Sequence, residues 1–280
     1  MASVGQRLET ASQSVLGLID VAFAVNPEGQ FFLGAMPTEL IWIGAVIAGF
    51  SFIQSIFGMG LLIFGTPLLL LLGFGFLETI SCLLPASLAI SVLQLQRHKE
   101  PKPKIPRDYF TICLPAIVFS LSIFIQSDLI SDAKLAVGLM LLVAASMRLI
   151  PALNKWMIAA VQRQIRLYHL VMGILHGATN LGGAMLAILA GATQDEKAQI
   201  RFTVSFYYLG FAIIQCSTLI ISGNGVGLLN GVLFAPIAVV VFFIAGNPIF
   251  SQLKNSRYQK VLTYFIFSFG LALFVNFSIQ

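Results

Sequence analysis

Two glycine-centred motifs, each inside an apolar stretch, carry the residues best suited to bind a ligand. The first covers residues 54–60 and reads QSIFGMG, and the second covers residues 176–183 and reads HGATNLGG. With an offset of 122 residues (60 to 182), their glycines align and His176 stands opposite Gln54. Glycines at a helix break leave backbone N–H groups accessible, and the start of the following helix attracts negative charge. The paired motifs therefore predict a binding site for an anion.

The candidate substrate contacts are the glycines and polar residues in and near these motifs. A break inside a membrane helix frees backbone groups that lipid cannot satisfy, so it is tolerated where it lines a cavity or faces protein. The competing interpretation is that the small residues only allow helices to pack closely. Because the motif occurs twice at matching positions, we favour binding. The candidates are Gln54, Ser55, Gly58, Met59, Gly60, Thr66, Ser87, His176, Gly177, Thr179, Asn180, Gly182, Gly183 and Ser205, with Ser91 and Tyr208 as further polar lining.

One titratable side chain, His176, stands inside an apolar core segment. The other histidines, His98 and His169, fall in a basic loop and near a segment boundary. An intramembrane imidazole is suited to carry a coupling proton or to donate a hydrogen bond to an anion. The alternative is a purely structural histidine bonded to a carbonyl of the broken helix, and both interpretations stay open at this stage.

Composition identifies a membrane protein. Of the 280 residues, 58% are hydrophobic and 10% are charged, whereas soluble chains carry about 25% charged residues. Apolar runs of roughly 20 residues, the length needed to cross a bilayer as a helix, recur along the chain. We expect an all-α polytopic membrane protein. The predicted segments are 38–57, 61–76, 77–96, 109–126, 134–150, 167–181, 183–193, 197–222, 227–246 and 260–278.

The basic residues predict which loops face the cytoplasm. Of the 16 Lys and Arg residues, 14 fall within 97–107, 148–166, 194–201 and 247–260. Cytoplasmic loops are enriched in Lys and Arg, so these four stretches are predicted to be cytoplasmic and both termini to lie outside. Because the positive charge is spread over short loops, it does not indicate nucleic-acid binding.

This topology divides the chain into two repeats of opposite orientation. Each repeat contains one helix–break–helix segment followed by three transmembrane helices, and mid-helix prolines at Pro115 and Pro236 also correspond. Residues 1–37 faintly resemble a signal peptide, but their acidic residues favour an interfacial helix on the membrane. The predicted domains are this extension at 1–37, a first repeat at 38–150, a cytoplasmic linker at 151–166 and a second repeat at 167–280.

The first turn and the helix after it resemble a known family. Residues 57–69 read FGMGLLIFGTPLL, and together with residues 173–183 they resemble the TauE/SafE family of sulfite exporter-like, or anion permease-like, membrane proteins. The resemblance covers about residues 38–280. It implies transport of sulfite, sulfonates and related small organic anions, and a fold of two repeated halves.

The sequence departs from the family pattern at three places. Leu61 and Leu62 stand where further glycines are expected, and Asn180 replaces the first glycine of the second turn. No proline in the second half matches Pro67. These departures leave the fold expectation intact and put the identity of the anion in doubt.

The function predicted from these observations is secondary transport. We expect an exporter in the plasma (inner) membrane that moves a small anion by alternating access, with membrane lipid and a coupling proton as its other partners and no cofactor or metal. An anion channel is the main alternative. An intramembrane enzyme using Ser87 or Ser205 beside His176 is disfavoured because no G-x-S-x-G nucleophile motif is present. Lack of a Walker loop argues against ATP-driven pumping.

Overall fold

The computed structural model describes residues 37–126, 150–258 and 260–261, and the regular elements in these ranges are helices. Three π-helical turns, Leu61–Gly65, Tyr109–Cys113 and Phe242–Gly246, lead directly into α-helices. By internal contacts the chain divides into two units, Met1–Ile43 and Gly44–Gln280. The α-helices are α1 (Pro37–Phe57), α2 (Thr66–Leu71), α3 (Phe76–Gln96), α4 (Leu114–Gln126), α5 (Pro151–Arg163), α6 (Ile165–Thr179), α7 (Gly183–Thr193), α8 (Lys197–Ile221), α9 (Val226–Val241) and α10 (Asn247–Gln252).

Five helical stretches are long and apolar enough to cross a membrane. They are Thr38–Phe57, Phe76–Gln96, Tyr109–Gln126, Lys197–Ile221 and Val226–Gln252. Two shorter apolar helices, Leu61–Leu71 and Gly183–Thr193, accompany them. The prediction of an all-α chain with several membrane-spanning helices is thus confirmed in the described ranges. The predicted segment 134–150, most of 260–278 and the extension 1–37 lie almost entirely outside those ranges.

Proline explains the position of each π-helical turn. Each turn ends two residues before a proline, at Pro67, Pro115 and Pro248. A proline ring inside a helix collides with the carbonyl four residues earlier and provides no N–H for it. In all three cases that carbonyl belongs to the π-helical turn, where the wider coil relieves the collision.

Close contacts at glycines hold the long helices together. On α9, a Cβ at Gly231 would stand 2.9 Å from the ring of Pro85 and 3.0 Å from the Cys82 carbonyl of α3. On α6, a Cβ at Gly173 would stand 2.5 Å from the Cys113 carbonyl beside α4. Small residues permit this approach of two backbones in membranes. Helix α8, from the second half of the sequence, packs against α3 and α4 of the first half.

The stretch predicted as a linker, 151–166, is helical over α5. Its exposed residues include Trp156, Lys155 and Arg163. This mixture of an aromatic residue and basic residues is typical of helices at a membrane surface.

Candidate functional site

The two glycine-rich turns begin with the same local geometry. Helix α1 is followed by Gly58 at φ 84°, whose N–H donates to the carbonyl of Gln54 at 2.7 Å. Helix α6 is followed by Asn180 at φ 65°, whose N–H donates to the carbonyl of His176 at 2.8 Å. Left-handed backbone suits glycine, and asparagine is one of the few other residues that adopt it readily. Asn180 therefore replaces a glycine without loss of the turn.

In the first turn, the side chain of Gln54 is fully satisfied. It is buried, and its Nε2 donates to the Ser87 carbonyl at 3.0 Å and to Ser87 Oγ at 2.9 Å. Its Oε1 accepts the N–H of Leu61 at 3.1 Å, which holds the start of the next helix against α1. Gln54 thus ties α1, α3 and the Leu61–Gly65 turn together.

The end of α1 is also satisfied, by side chains from other helices. Gln94 of α3 donates to the carbonyls of Gln54 at 2.6 Å and Ser55 at 3.0 Å. Arg201 of α8 donates to the same Ser55 carbonyl at 3.2 Å. Ser205 donates to Gln94 Oε1 at 2.8 Å and so anchors that amide. Terminal helix carbonyls need such partners when they are buried, and here α3 and α8 supply them.

Asn180 joins the second turn to the helix that follows the first turn. Its Nδ2 donates to Thr66 Oγ1 at 2.9 Å, and its Oδ1 accepts from Nε2 of Gln215 on α8 at 3.1 Å. All three side chains are buried. The chain of hydrogen bonds Gln215–Asn180–Thr66 therefore connects α8, the second turn and the helix that follows the first turn.

His176, by contrast, is buried without a hydrogen bond. Neither ring nitrogen has a partner among the described residues, and the ring stacks near Phe211 at a centroid distance of 4.3 Å. The hydroxyl of Tyr208 lies close by, with ring centroids 6.0 Å apart, and is also buried and unpartnered in the described part of the chain. Gln215 approaches the imidazole closely enough for a weak side-chain hydrogen bond, although neither its Oε1 nor a ring nitrogen of His176 reaches normal hydrogen-bond geometry in the described structure. Buried polar groups normally find partners, so this cluster is unusual.

The glycines after α6 bring the start of α7 against this cluster. A Cβ at Gly182 would stand 2.6 Å from Cβ of His176, and the Tyr208 hydroxyl contacts the position that a Cβ of Gly183 would occupy. The backbone N–H groups of Gly182 and Gly183 have no acceptor within the described ranges. Unpaired N–H groups at a helix N-terminus suit an anion. Here they meet the unpaired Tyr208 and His176 side chains.

The predicted site residues fall into two groups, one around Gln54 at the first turn and one around His176 at the second. Ser87 and Ser205 contact Gln54 and Gln94 rather than His176. Gly177 packs against α4, where its Cβ would stand 2.5 Å from the Ile117 carbonyl. The remaining residues keep to their own turns: Ser55 Oγ donates to the Ser51 carbonyl, Thr179 Oγ1 donates to the Leu175 carbonyl, and Met59 and Gly60 are buried at the first turn.

Three residues of these networks were missed from sequence, namely Gln94, Gln215 and Arg201. The repeat offers a signal for two of them, because Gln94 and Gln215 are 121 residues apart, as are Ser87 and Tyr208. Arg201 was predicted where the basic stretch 194–201 overlaps the segment 197–222, and the structure places it in α8 with 6% of its surface exposed.

A cavity of about 350 Å³ lies between α5, α6 and α7, and none of the predicted site residues lines it. Within the described ranges, no cluster of His, Cys, Asp or Glu is suited to hold a metal ion. The cavity is lined by Trp156, Ala159, Ala160, Arg163, Gln164, Leu167, Tyr168, Val171, Leu175 and Met185.

Comparison with known families and proteins gives one match. The family model described as "Sulfite exporter TauE/SafE" matches residues 41–273. Neither curated proteins nor solved structures give a match to the chain.

Proposed function

The chain belongs to the sulfite exporter TauE/SafE family, and on this premise we propose that it is a secondary transporter that exports a small anion. Sulfite, an organosulfonate or a small organic acid fits the proposal. The observation that carries it is the group of buried, unpartnered donors at the second turn: the N–H groups of Gly182 and Gly183, the Tyr208 hydroxyl and the His176 ring.

An oxyanion complements these groups chemically. Its oxygens accept hydrogen bonds from the two backbone amides, from Tyr208 and from one ring nitrogen of His176. Helix α7 adds the positive end of its dipole, which favours negative charge within its first turn. Buried donors without acceptors are costly, so a bound anion recovers interactions that the empty protein lacks.

The tight packing of these groups supports a mechanism of alternating access. The Tyr208 hydroxyl rests against Gly183, which leaves no space for an anion between α7 and α8. Binding therefore requires the two helices to separate toward one side of the membrane, and release requires the site to open toward the other side. A site that opens and closes around its ligand is the basis of a carrier rather than an open pore.

An inverted repeat is part of this proposal. Supporting it, the helices after the two turns, Leu61–Leu71 and Gly183–Thr193, have the same length, and the turns begin with left-handed residues at matching positions. We further propose that the basic loops face the cytoplasm and that both termini face outside, in accord with the distribution of Lys and Arg.

The direct test is flux through purified protein in liposomes. We expect sulfite uptake that saturates with concentration and is inhibited by methanesulfonate or acetate if these share the site. Non-saturating flux with unitary currents in planar bilayers would identify an anion channel instead. Absence of flux for sulfite, sulfonates and small organic acids alike would contradict anion transport.

His176 is the proposed carrier of a coupling proton. It is the one histidine of the described residues whose ring is buried with both nitrogens free, and imidazole exchanges protons near neutral pH once water reaches it. We expect wild-type flux to change across about pH 6–7 and His176→Gln to transport without that pH dependence. An unchanged pH profile in His176→Gln would leave the histidine with a structural role only.

A further inference from the structure

Arg201 is a buried cation without an acidic partner among the described residues. It lies in α8 with 6% of its surface exposed. The ion pair of the described ranges joins Arg166 and Asp108 near the surface, and no carboxylate in those ranges pairs with Arg201. Desolvating an unpaired charge is expensive, and charged residues inside membrane proteins commonly mark the path of a substrate or ion.

The guanidinium is only partly occupied by protein. Its Nη1 donates to the Ser55 carbonyl at 3.2 Å and to Oδ1 of Asn247 at 3.3 Å. Its Cζ lies 3.3 Å from the ring centroid of Phe250, and Lys197 Nζ lies 4.7 Å from the same centroid. The Nε and Nη2 groups have no acceptor among the described residues. Three N–H bonds of a planar fork suited to oxyanions therefore remain available.

Helix geometry connects Arg201 with the second turn. Arg201, Tyr208 and Gln215 are spaced by seven residues, so they share one face of α8. At a rise of 1.5 Å per residue, Arg201 lies about 10 Å along the helix from Tyr208. All three side chains are buried. One helix face thus presents a cation at its beginning and unpartnered polar groups further along.

We propose that Arg201 is a second contact for the transported anion, which binds the free edge of the guanidinium where α8 begins and then moves along α8 to Gly183 and Tyr208. This inference rests on the proposed function and adds a substrate-binding residue to it. The ligand is an oxyanion, because the free Nε and Nη2 groups present parallel donors to two oxygens of one group. Phe250 keeps the guanidinium plane in place while the anion approaches its edge.

The test compares sulfite binding by the wild-type protein with sulfite binding by three variants of Arg201. Sulfite-induced stabilisation against heat reports binding to the purified protein, and initial flux rates report KM. We expect Arg201→Lys to weaken sulfite binding about 10-fold and Arg201→Gln about 100-fold, the range for a charge-assisted hydrogen bond. The matched control is Arg97→Gln, since Arg97 also stacks on a phenylalanine, at 5.3 Å from the Phe243 centroid, but is exposed. It should bind sulfite as the wild type does.

Arg201 also supports the end of α1, so a variant can lose sulfite binding because its structure is disturbed. Chemical rescue with an added small molecule distinguishes this structural role from a contact with the anion. We expect low-millimolar guanidinium to restore sulfite binding to Arg201→Ala, whereas urea, a neutral molecule of similar shape, does not. Equal rescue by urea would show that only the space matters and would overturn the proposal. Wild-type affinity in Arg201→Gln would also overturn it. If Arg201→Ala does not fold, the Lys and Gln variants decide.

The two proposals fail in different ways. A wild-type protein that binds and transports sulfite, together with an unaffected Arg201→Gln, contradicts the role of Arg201 alone. A wild-type protein that neither binds nor transports any small oxyanion contradicts the proposed function, and the proposal for Arg201 falls with it.

Discussion

The first and second turns share a backbone geometry and differ in how their polar groups are used. At the first turn, Gln54 uses both ends of its amide, on Ser87 and on the N–H of Leu61. At the matching position of the second turn, His176 makes no hydrogen bond in the described structure, and the hydroxyl of Tyr208, at the position that matches Ser87, is unpartnered there as well. On this difference we base the proposal that the first turn supports the structure and that the second binds the anion.

The largest effect is expected from Gly60→Ala. The added Cβ would stand 2.6 Å from the backbone N of Gln54 and from the carbonyl O of Phe50, and backbone atoms cannot move aside cheaply. Overpacking of this kind costs about 1–3 kcal/mol or more, so we expect little folded protein by size-exclusion chromatography. Gly49→Ala is the control, because nothing lies within 4 Å of its Cβ position. If the Gly60→Ala protein is as stable as Gly49→Ala, the close packing of the first turn is not needed for folding.

Next in size is the effect of Tyr208→Phe on transport. Because the Tyr208 hydroxyl has no partner in the described residues, its removal should leave the melting temperature unchanged or raised while sulfite flux falls about 10-fold or more. Its neighbour provides the contrast. Tyr207→Phe removes a 2.8 Å hydrogen bond to Nε2 of His169, and should lower stability by about 1 kcal/mol with flux retained. If Tyr208→Phe lowers stability and Tyr207→Phe reduces flux instead, Tyr207 and not Tyr208 contacts the anion.

Gln54→Met and His176→Met test the matched positions themselves. Methionine at 54 leaves the Leu61 N–H and the Ser87 hydroxyl without their buried partner, and should cost about 1–3 kcal/mol of unfolding free energy. Methionine at 176 removes no hydrogen bond seen in the described structure. It should therefore change stability little, and the flux should lose its dependence on pH. Denaturation in detergent measures the first effect and liposome flux the second. Equal loss of stability in the two variants would contradict the contrast between the turns.

The smallest effect is the expected difference between Asn180→Gly and Asn180→Ala. Glycine keeps the left-handed conformation at φ 65° but loses the hydrogen bonds to Thr66 and Gln215, which leaves buried partners unsatisfied at a cost of about 1–3 kcal/mol. Asn180→Ala loses the same bonds and adds backbone strain of about 1 kcal/mol. Thermal melting of the two variants separates the contribution of the side chain from that of the backbone. If the two variants have the same melting temperature, the left-handed conformation at position 180 costs alanine no measurable stability.

Sequence patterns predicted the helices and the turns because both are local properties. Apolar runs predicted α3 and α8 almost to the residue, and the glycines marked where α1 and α6 end. The contacts between side chains of different helices could not be predicted from the sequence. Arg201 falls at the basic start of the predicted segment 197–222, but the sequence does not show that its side chain is buried against the carbonyl of Ser55. The capping role of Gln94 depends on how α3 packs against α1. Such roles are set by distances between residues far apart in the chain.

The loops after the two short helices differ by one residue. Four residues, 72–75, separate α2 from α3, whereas three, 194–196, separate α7 from α8. One inserted residue within a helix would rotate everything beyond it by about 100° and would turn Ser87 away from Gln54. Placed in a loop, where Gly73 adopts φ 99°, the extra residue changes the numbering offset from 122 to 121 and leaves both helix faces in phase. Under the proposed inverted repeat, the two halves of the gene can thus diverge in length at this loop without losing the register on which both turns depend.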